Sequence, residues 1–260
     1  MLNGQPLAAG FTLTALLQQP ASAMAEWLAQ QRDAASAGDV RGQTALPPIE
    51  PMQEIWASGV TYLRSRDARK AESSVADVYQ KVYEAERPEL FMKAVGWRTV
   101  TSGQPVRIRK DSAWNVPEPE LTLVINAHGE IVGYTAGNDM SSRDIEGENP
   151  LYLPQAKIYT GACALGPEIV LADAEAMRML PVTLEIRRGG AVVFSGETSI
   201  ARMKRRLEEL VSYLYRELDF PHGAFLMTGT GIVPPESFSL RPGDHVKISV
   251  GEVTLENDVA

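Results

Sequence analysis

The spacing of hydrophobic positions separates a helical beginning from a longer part rich in strands. Residues 1–50 carry apolar side chains at helical spacing, namely Leu16, Leu17, Met24, Trp27 and Leu28. We expect the main helix of this region to begin at Ala21 or Ser22, directly after Pro20. The three prolines of ALPPIEPM then predict an extended linker. The chain is therefore predicted to contain a small helical region with its linker over residues 1–52 and a main domain over residues 53–260.

Two further stretches have the spacing of amphipathic helices. Residues 66–87 place apolar side chains three and four positions apart, at Val75, Val78, Tyr79, Val82 and Tyr83. Pro88 is expected to end this helical region. The stretch SIARMKRRLEELVSYLYREL predicts one amphipathic helix, and its cluster of Arg and Lys predicts a solvated helix face.

From Leu90 onward the pattern changes to short runs typical of strands, separated by Gly, Pro and Asn. LTLVINAHGEIVGYTAG and PVTLEIRRGGAVVFSGE predict hairpins with turns at AHGE and RGGA. Neither a GxGxxG nor a Walker motif occurs in the sequence. The pattern favours a mostly β, α+β fold with a closed or rolled sheet over a dinucleotide-binding fold.

The first predicted hairpin carries acidic residues at its open end. A turn at His128-Gly129 would place Ala127 opposite Glu130 and Glu118 opposite Asp139. Glu118 and Glu120 are two positions apart, so they share one face of the strand. Three converging carboxylates repel one another unless a cation lies among them, and oxygen ligands suit Mg²⁺, Mn²⁺ or Ca²⁺. Spacing alone leaves a second interpretation open, in which Glu118-Pro119-Glu120 is an exposed strand start with Pro119 at an edge.

Composition narrows the possible partners and the compartment. The net charge of −8 argues against nucleic acid and anionic membrane surfaces as main partners. No apolar run approaches the roughly 18 residues of a membrane span, and the first basic residue is Arg32, so a secretory signal is not expected. The single cysteine, Cys163, excludes an intrachain disulfide and is expected in the core. A cytoplasmic protein is therefore predicted.

Several motifs together resemble the fumarylacetoacetate hydrolase family. They are the Glu-x-Glu at residue 118, GYTAGNDMSSRD, GPEIV and MTGTGIVPP, in an order and spacing that fit over roughly residues 56–257. The resemblance implies a distorted β-barrel or β-roll and a homodimer or homotetramer. It also implies a site with these members: Glu118, Glu120 and Asp139 as ligands of Mg²⁺, with Mn²⁺ or Ca²⁺ as substitutes, Arg143 as the site arginine, Lys157 as the site lysine and Thr230 as a substrate contact.

The sequence is similar in more detail to one branch of that family, which dehydrates 2-keto-3-deoxy sugar acids. The shared segments are GVTYLRSRDAR, VYEAERPELFMKA, ENPLYLPQAKIYTGACALGP and MTGTGIVP. By this resemblance Glu89 is a catalytic residue together with Lys157, and Lys93 and Tyr62 are substrate contacts. The expected partner is then a small 2-keto acid, converted to 2,5-dioxopentanoate when it has five carbons.

The chemistry of such a dehydration assigns a task to each group. A base must remove the C3 proton, and Lys157 suits this role if its pKa falls towards neutrality. An acid must protonate the departing C4 hydroxyl, and Glu89 suits this role if its pKa is raised. The alternatives on the same scaffold are a C–C hydrolase of fumarylacetoacetate or acylpyruvate type, a 2-oxo-acid isomerase or a decarboxylase. Family hydrolases activate water with a lid histidine, and GVTYLRSRDARKAES contains none. A binding protein on a decayed scaffold is a further alternative, and the intact acid–lysine set weighs against it.

Overall fold

The computed structural model of the protein describes residues 1–33, 46–72 and 76–260. In these residues the α-helices are α1 (Leu13–Leu17), α2 (Ala21–Asp33), α3 (Leu63–Glu72), α4 (Ala76–Glu84), α5 (Arg143–Glu148), α6 (Leu153–Lys157), α7 (Ala174–Met177) and α8 (Leu207–Leu214). The strands are β1 (Glu54–Ala57), β2 (Phe91–Val95), β3 (Asn115–Val116), β4 (Pro119–Ile125), β5 (Ile131–Asp139), β6 (Ser141–Ser142), β7 (Cys163–Leu165), β8 (Val170–Leu171), β9 (Pro181–Arg188), β10 (Ala191–Ser199), β11 (Ala224–Met227), β12 (His245–Val250) and β13 (Val253–Asp258).

Two sheets form the centre of the molecule. The larger sheet has the order β2-β1-β11-β4-β5-β7, with β8 paired to β5. Its pairs are antiparallel apart from the parallel pair of β1 and β11. The smaller sheet has the antiparallel order β10-β9-β12-β13, and β3 pairs with β6 as a short ribbon. The predicted α+β fold with a β centre is confirmed, and so are both predicted hairpins, β4–β5 and β9–β10.

The larger sheet is covered on both faces. One face packs against the smaller sheet and α8, in a hydrophobic cluster that includes Leu121, Leu123 and Ile248. The opposite face packs against α1 and α2, in a second cluster that includes Leu16 and Val124. All of β4 is buried as a result, which explains why its sequence reads as a nearly continuous apolar run.

The N-terminal helices follow the sequence prediction closely. Helix α2 begins at Ala21 directly after Pro20, and the backbone N–H of Ala21 donates to Glu130 Oε2 at 2.7 Å. A carboxylate from the β4–β5 turn thus satisfies a donor at the helix start, which needs a partner because no earlier turn supplies one. Residues 46–52 form neither helix nor strand. The division of the chain at residue 52 stays a prediction.

Two helix predictions need correction. The region predicted over residues 66–87 is divided between α3 and α4; Val75 lies outside the described residues, and Val78 is 39% exposed rather than part of a buried stripe. The single helix predicted over residues 199–218 is a 3-10 turn at Ile200–Arg202 followed by α8 alone.

The basic residues before α8 explain why that helix starts late. The side chain of Arg205 is buried and donates to the backbone carbonyls of Val82, Ala85 and Glu86 at 2.6–3.2 Å. These carbonyls belong to the last turn of α4 and the residues that follow it, where intrahelical donors run out. Arg205 therefore caps α4, and the solvated basic face predicted from the sequence is wrong for this residue.

Candidate active site

The register of the β4–β5 hairpin brings its acidic residues together. Pairing runs without a shift from Pro119 opposite Asn138 to Val124 opposite Gly133. The backbone N–H of Asp139 donates to the carbonyl of Glu118 at 3.0 Å, so the predicted opposition of these two residues is confirmed.

The predicted pairing fails only at the turn. The register shifts between Val124 and Ile125, and Asn126 instead of Ala127 bonds to Glu130. The shift lies at the turn end of the hairpin, so it leaves the register at the open end unchanged.

Three carboxylates converge at the open end of this hairpin. Glu118, Glu120 and Asp139 each offer an oxygen atom, and these atoms lie within 4.8 Å of one another. All three side chains are buried. A close, buried set of oxygen donors fits a hard divalent cation such as Mg²⁺, whereas Zn²⁺ favours nitrogen and sulfur ligands. The exposed strand start that spacing alone left open is therefore wrong.

Basic side chains surround the carboxylates. Lys157 Nζ lies 2.8 Å from Glu118 Oε1 and 3.1 Å from Asp139 Oδ2. Lys93 Nζ lies 2.5 Å from Asp139 Oδ1, and Arg143 Nη2 lies 3.2 Å from Glu118 Oε1. These contacts offset part of the repulsion among the acids, which burial in a low-dielectric interior makes strong.

The electrostatics of the group raise the pKa of Glu120 and also that of Lys157. Burial, with the charges of Asp139 and Glu118, raises the pKa of Glu120 well above its ordinary value. Burial alone would lower the pKa of Lys157, but Asp139 and Glu118 outweigh it and the pKa ends above the ordinary lysine value. Lys157 is thus an ammonium in this arrangement, whereas a general base at this position needs a lowered pKa.

Arg69 and Glu146 belong to the same network and were missed by sequence reasoning. Arg69 Nη2 lies 2.8 Å from Glu118 Oε1, and Arg69 Nε lies 3.0 Å from Glu146 Oε1. Ser141 Oγ donates to Glu146 Oε2 at 2.8 Å. Because Arg69 lies on α3 and Glu146 on α5, the network ties both helices to the end of the hairpin. Nothing in the charge-rich sequence LRSRDARKAE distinguishes Arg69 from the other charged residues of α3.

Glu89 lies at the other side of the site, against the loop that follows β1. Ser58 Oγ donates to the backbone carbonyl of Glu89 at 2.9 Å. A Cβ atom on Gly59 would collide with Glu89 Oε2, so glycine is needed there for the carboxyl to approach the backbone. Burial and the nearby charge of Glu146 raise the pKa of Glu89 to about 7. This carboxyl can therefore hold a proton near neutral pH, as an acid at this position requires.

The loop after β11 closes the remaining side. The backbone N–H of Gly229 donates to Glu120 Oε2 at 2.6 Å. Thr230 follows it and lines the site, with its hydroxyl bonded to the backbone of Ile232 at 3.2 Å. Strands β1 and β11 are parallel, so the loops that follow them emerge at the same edge of the sheet.

The cavity between these elements has a volume of about 20 Å³, the space of one or two water molecules. The predicted site residues that line it are Glu89, Glu118, Asp139, Lys157 and Thr230. The remaining predicted residues, Glu120, Arg143, Lys93 and Tyr62, are buried around the cavity and are not among its lining residues.

Lys93 is held by protein groups, and Tyr62 is buried beside Glu120. The ammonium of Lys93 donates to the backbone carbonyls of Met140 and Lys157, at 2.9 Å and 2.5 Å, besides contacting Asp139. Burial and the charge of Glu120 raise the pKa of Tyr62. In the described structure Lys93 thus holds the carboxylate of Asp139 in place. Its role as a substrate contact stays a prediction, as does that of Tyr62.

The histidines lie away from the cavity. His128 and His222 are in turns, and His245 begins β12, where its Nδ1 lies 2.8 Å from Asp258 Oδ1. None of the three lines the cavity in the described residues. The segment in which family hydrolases carry a lid histidine is here the loop and helix α3 that supply Arg69.

Fold and site define the class of protein. The family model described as "Fumarylacetoacetate (FAA) hydrolase C-terminal" matches residues 54–260, and the chain belongs to the fumarylacetoacetate hydrolase family. The resemblance seen in the sequence is confirmed. A solved structure of 2-keto-3-deoxy-D-arabinonate dehydratase, complexed with magnesium and 2,5-dioxopentanoate, has a TM-score of 0.78 and 38% identity over 93% of this chain and 88% of that chain. The family-type fold expected from the sequence is thereby confirmed.

Two curated relatives fall in the same branch. A probable 2-keto-3-deoxyxylonate dehydratase of Haloferax volcanii is 51% identical over 83% of this chain and 74% of its own length. A 2-dehydro-3-deoxy-D-arabinonate dehydratase of Saccharolobus solfataricus is 45% identical over 79% of this chain and 70% of its own length. Separately, no helix of the described residues has the length and apolar character needed to span a membrane.

Proposed function

We propose that the protein is a Mg²⁺-dependent dehydratase of 2-keto-3-deoxy sugar acids and that it converts the five-carbon acid to 2,5-dioxopentanoate. The observation that carries this proposal is the buried set of Glu118, Glu120 and Asp139 with Lys157 at its centre and Glu89 across the cavity. The relatives and the solved structure named above support it, because each is a dehydratase of a 2-keto-3-deoxy sugar acid.

Glu118, Glu120 and Asp139 would hold the cation, since their oxygen atoms converge and match a hard ion. When bound, Mg²⁺ supplies Lewis-acid stabilisation of the negative charge that develops on a 2-keto acid as its C3 proton leaves. Arg143, Lys93 and Arg69 contact the same carboxylates and hold them in place. The backbone N–H of Gly229 donates to Glu120 Oε2 and holds that carboxylate in place.

Lys157 and Glu89 are the proposed catalytic pair. In the dehydration, a C3 proton is removed, the C4–O bond breaks, and the hydroxyl leaves as water after it receives a proton. Glu89 is suited to deliver that proton, because its pKa of about 7 keeps it partly protonated near neutral pH. Lys157 is the proposed base for C3, because its Nζ lies among the carboxylates that would hold the cation and the 2-keto end of the substrate. It would act once the charge of the bound cation lowers its pKa from the raised value of the metal-free site. A later proton shift from C5 yields the aldehyde.

The C–C hydrolase alternative lacks its usual base in this chain. The described residues that line the cavity include no histidine, and the lid segment supplies Arg69 instead. We further propose a cytoplasmic homodimer or homotetramer that acts on a small 2-keto acid, with neither nucleic acid nor membrane as a partner. The net charge of −8 argues against nucleic acid and membrane as partners, and the single buried cysteine fits a reducing compartment. The oligomer rests on the family resemblance alone.

The test is a panel of 2-keto-3-deoxy pentonates and acylpyruvates offered to the protein with Mg²⁺ and, in parallel, with a chelator. Mass spectrometry of the products distinguishes loss of water from cleavage of the carbon chain. Dehydration that requires Mg²⁺ is the expected result. Cleavage of acylpyruvates without dehydration of any pentonate would contradict the proposal.

A further inference from the structure

A second cavity adjoins the candidate active site. Its volume is about 490 Å³, within the range of roughly 300–1,000 Å³ that small-molecule pockets span. Helix α4 and the segments around residues 85–90 and 150–153 line it, and one side is open to solvent. Its walls are mainly apolar and include Val78, Tyr79, Val82, Pro88, Leu90 and Pro150. Val78, which is 39% exposed and is not part of a buried stripe, lies in the wall of this cavity.

Two residues separate this cavity from the active site. Glu89 and Leu153 line both cavities, so their side chains form the partition between them. Leu153 is the first residue of α6 and Lys157 is its last. Residues four positions apart lie on the same face of a helix. Helix α6 therefore places Lys157 beside the carboxylates and Leu153 in the partition between the two cavities.

The second cavity has little charge to offer a ligand. Arg87 is the basic residue among its described walls, and the guanidinium of Arg87 stacks on the ring of Tyr213, 5.4 Å from the ring centre. Glu89 contributes the acidic group, at the partition. An apolar chain is thus a better match to the walls than a second carboxylate or a polyol, because buried polar groups need hydrogen-bonding partners.

We infer that the second cavity receives an unbranched apolar chain at the far end of a 2-keto acid, and that Leu153 limits the chain length the enzyme accepts. This inference rests on the proposed function, because the 2-keto end must occupy the carboxylate site. A 4-hydroxy-2-keto acid with such a chain would lose its C3 proton and its C4 hydroxyl as water. A C3=C4 double bond forms, and the product is a 2-keto-3-enoate. Without a hydroxyl on C5, no aldehyde follows.

Binding of a series of straight-chain 2-keto acids, from pyruvate to 2-ketodecanoate, tests the inference without requiring turnover. Affinity is measured by calorimetry in the presence of Mg²⁺. Beyond the length that fills the active site, each added methylene should strengthen binding by about fourfold, the value expected for burial of one CH₂ group. Ultraviolet absorbance of the conjugated 2-keto-3-enoate then reports turnover of the matching 4-hydroxy acids.

Three variants locate the chain. Leu153→Ala should raise the affinity for 2-ketooctanoate relative to pyruvate by about tenfold or more, because the truncation removes three carbons from the passage. Val78→Trp should lower the same ratio, since the indole fills the cavity from its outer wall. Leu151→Ala is the matched control: Leu151 is 83% exposed, precedes α6 and lines neither cavity. In Leu151→Ala the affinity for 2-ketooctanoate relative to pyruvate should equal that of the unmodified protein.

The outcomes separate the inference from the proposed function. Pyruvate binding with no gain for longer chains, or equal ratios in all three variants, would overturn the inference alone. Tighter binding of 2-keto diacids than of monoacids of equal length would also overturn it, because an anionic group at Arg87 would then replace the apolar chain. If pyruvate itself fails to bind with Mg²⁺, the proposed function fails and the inference fails with it.

Discussion

Replacing Lys157 by methionine should destabilise the metal-free protein and make it more responsive to Mg²⁺. The ammonium lies 2.8 Å from Glu118 and 3.1 Å from Asp139, and its side chain is 3% exposed. Methionine has a similar length and fills the same space without the charge. The substitution therefore removes a counter-charge from among three buried carboxylates while leaving the packing nearly unchanged.

The size of the effect follows from the contacts that remain. Removing one partner of a buried ion pair costs about 3–5 kcal/mol. After the substitution Glu118 still contacts Arg69 and Arg143, and Asp139 still contacts Lys93. The loss should therefore lie at the lower end, about 3 kcal/mol, which lowers Tm by about 6–12 °C for a chain of this size.

Thermal unfolding with a chelator and with saturating Mg²⁺ measures both parts of this prediction. Saturation at about 100 times Kd adds about 2.7 kcal/mol of stability, and the Tm gain should be larger in Lys157→Met because no ammonium competes with the cation. Lys110→Met is the control: Lys110 is exposed, so its effect should stay within about 0.5 kcal/mol.

Activity gives the second readout of the same variant. Exchange of the C3 protons of the 2-keto acid with deuterium, read by NMR, should be lost with turnover if Lys157 is the base. A metal-free stability equal to that of Lys110→Met would refute the electrostatic reasoning, and rapid C3 exchange in Lys157→Met would refute the assignment of the base.

Three further predictions concern the metal ligands, the acid and the histidines. Glu120→Ala should weaken Mg²⁺ binding in calorimetry and abolish turnover, because it removes one of three converging oxygen ligands; full activity at micromolar Mg²⁺ would reject the ligand role. The pKa of Glu89 rises from 4.5 in the unfolded chain to about 7 in the folded protein. Protonated Glu89 therefore adds stability, on the order of 3 kcal/mol, that is fully present below about pH 4.5 and is lost as the pH rises to about 7. The free energy of unfolding, measured by chemical unfolding with a chelator, should fall over this pH range in the unmodified protein and change less with pH in Glu89→Gln. An equal dependence on pH in both proteins would contradict the raised pKa of Glu89. Replacing His128, His222 or His245 by Asn should leave kcat within about tenfold of the value for the unmodified protein. Loss of a general base would lower the rate by roughly 10²–10⁴-fold, so a loss of that size would favour the hydrolase alternative.

The sequence predicts the acidic centre well because its geometry is local. Strand alternation and a short turn determine which residues of one hairpin face each other, and both can be read from the chain. The register shift lies beside the turn, at Val124 and Ile125, so it does not reach Glu118 or Asp139. Glu89 and Lys157 were reachable only by resemblance, since nothing in their own segments indicates that they meet the hairpin.

The missed features all depend on contacts between distant segments. Arg69 reaches Glu118 across 49 positions of sequence, and Arg205 caps α4 from about 120 positions away. The pattern of residues 199–218 is amphipathic throughout, so it gives no reason for the helix to begin only at Leu207. The carbonyls at the end of α4 provide that reason, because the Arg205 side chain donates to three of them from the segment before Leu207.

The carboxylate site has to be stable both with a divalent cation and without one. Three buried acids suit a divalent cation, yet the same acids would destabilise the fold before the cation arrives. Two features reduce that cost: the Lys157 ammonium lies between Glu118 and Asp139, and the raised pKa of Glu120 lets that carboxyl keep a proton. A cation held by the three acids would act against both, because its charge would favour release of that proton and weaken the attraction of Glu118 and Asp139 for the ammonium. On the proposed function, the residues would thus couple cation binding to Lys157: a lysine held less strongly by two carboxylates, beside a new positive charge, would have a lower pKa, as removal of a C3 proton requires.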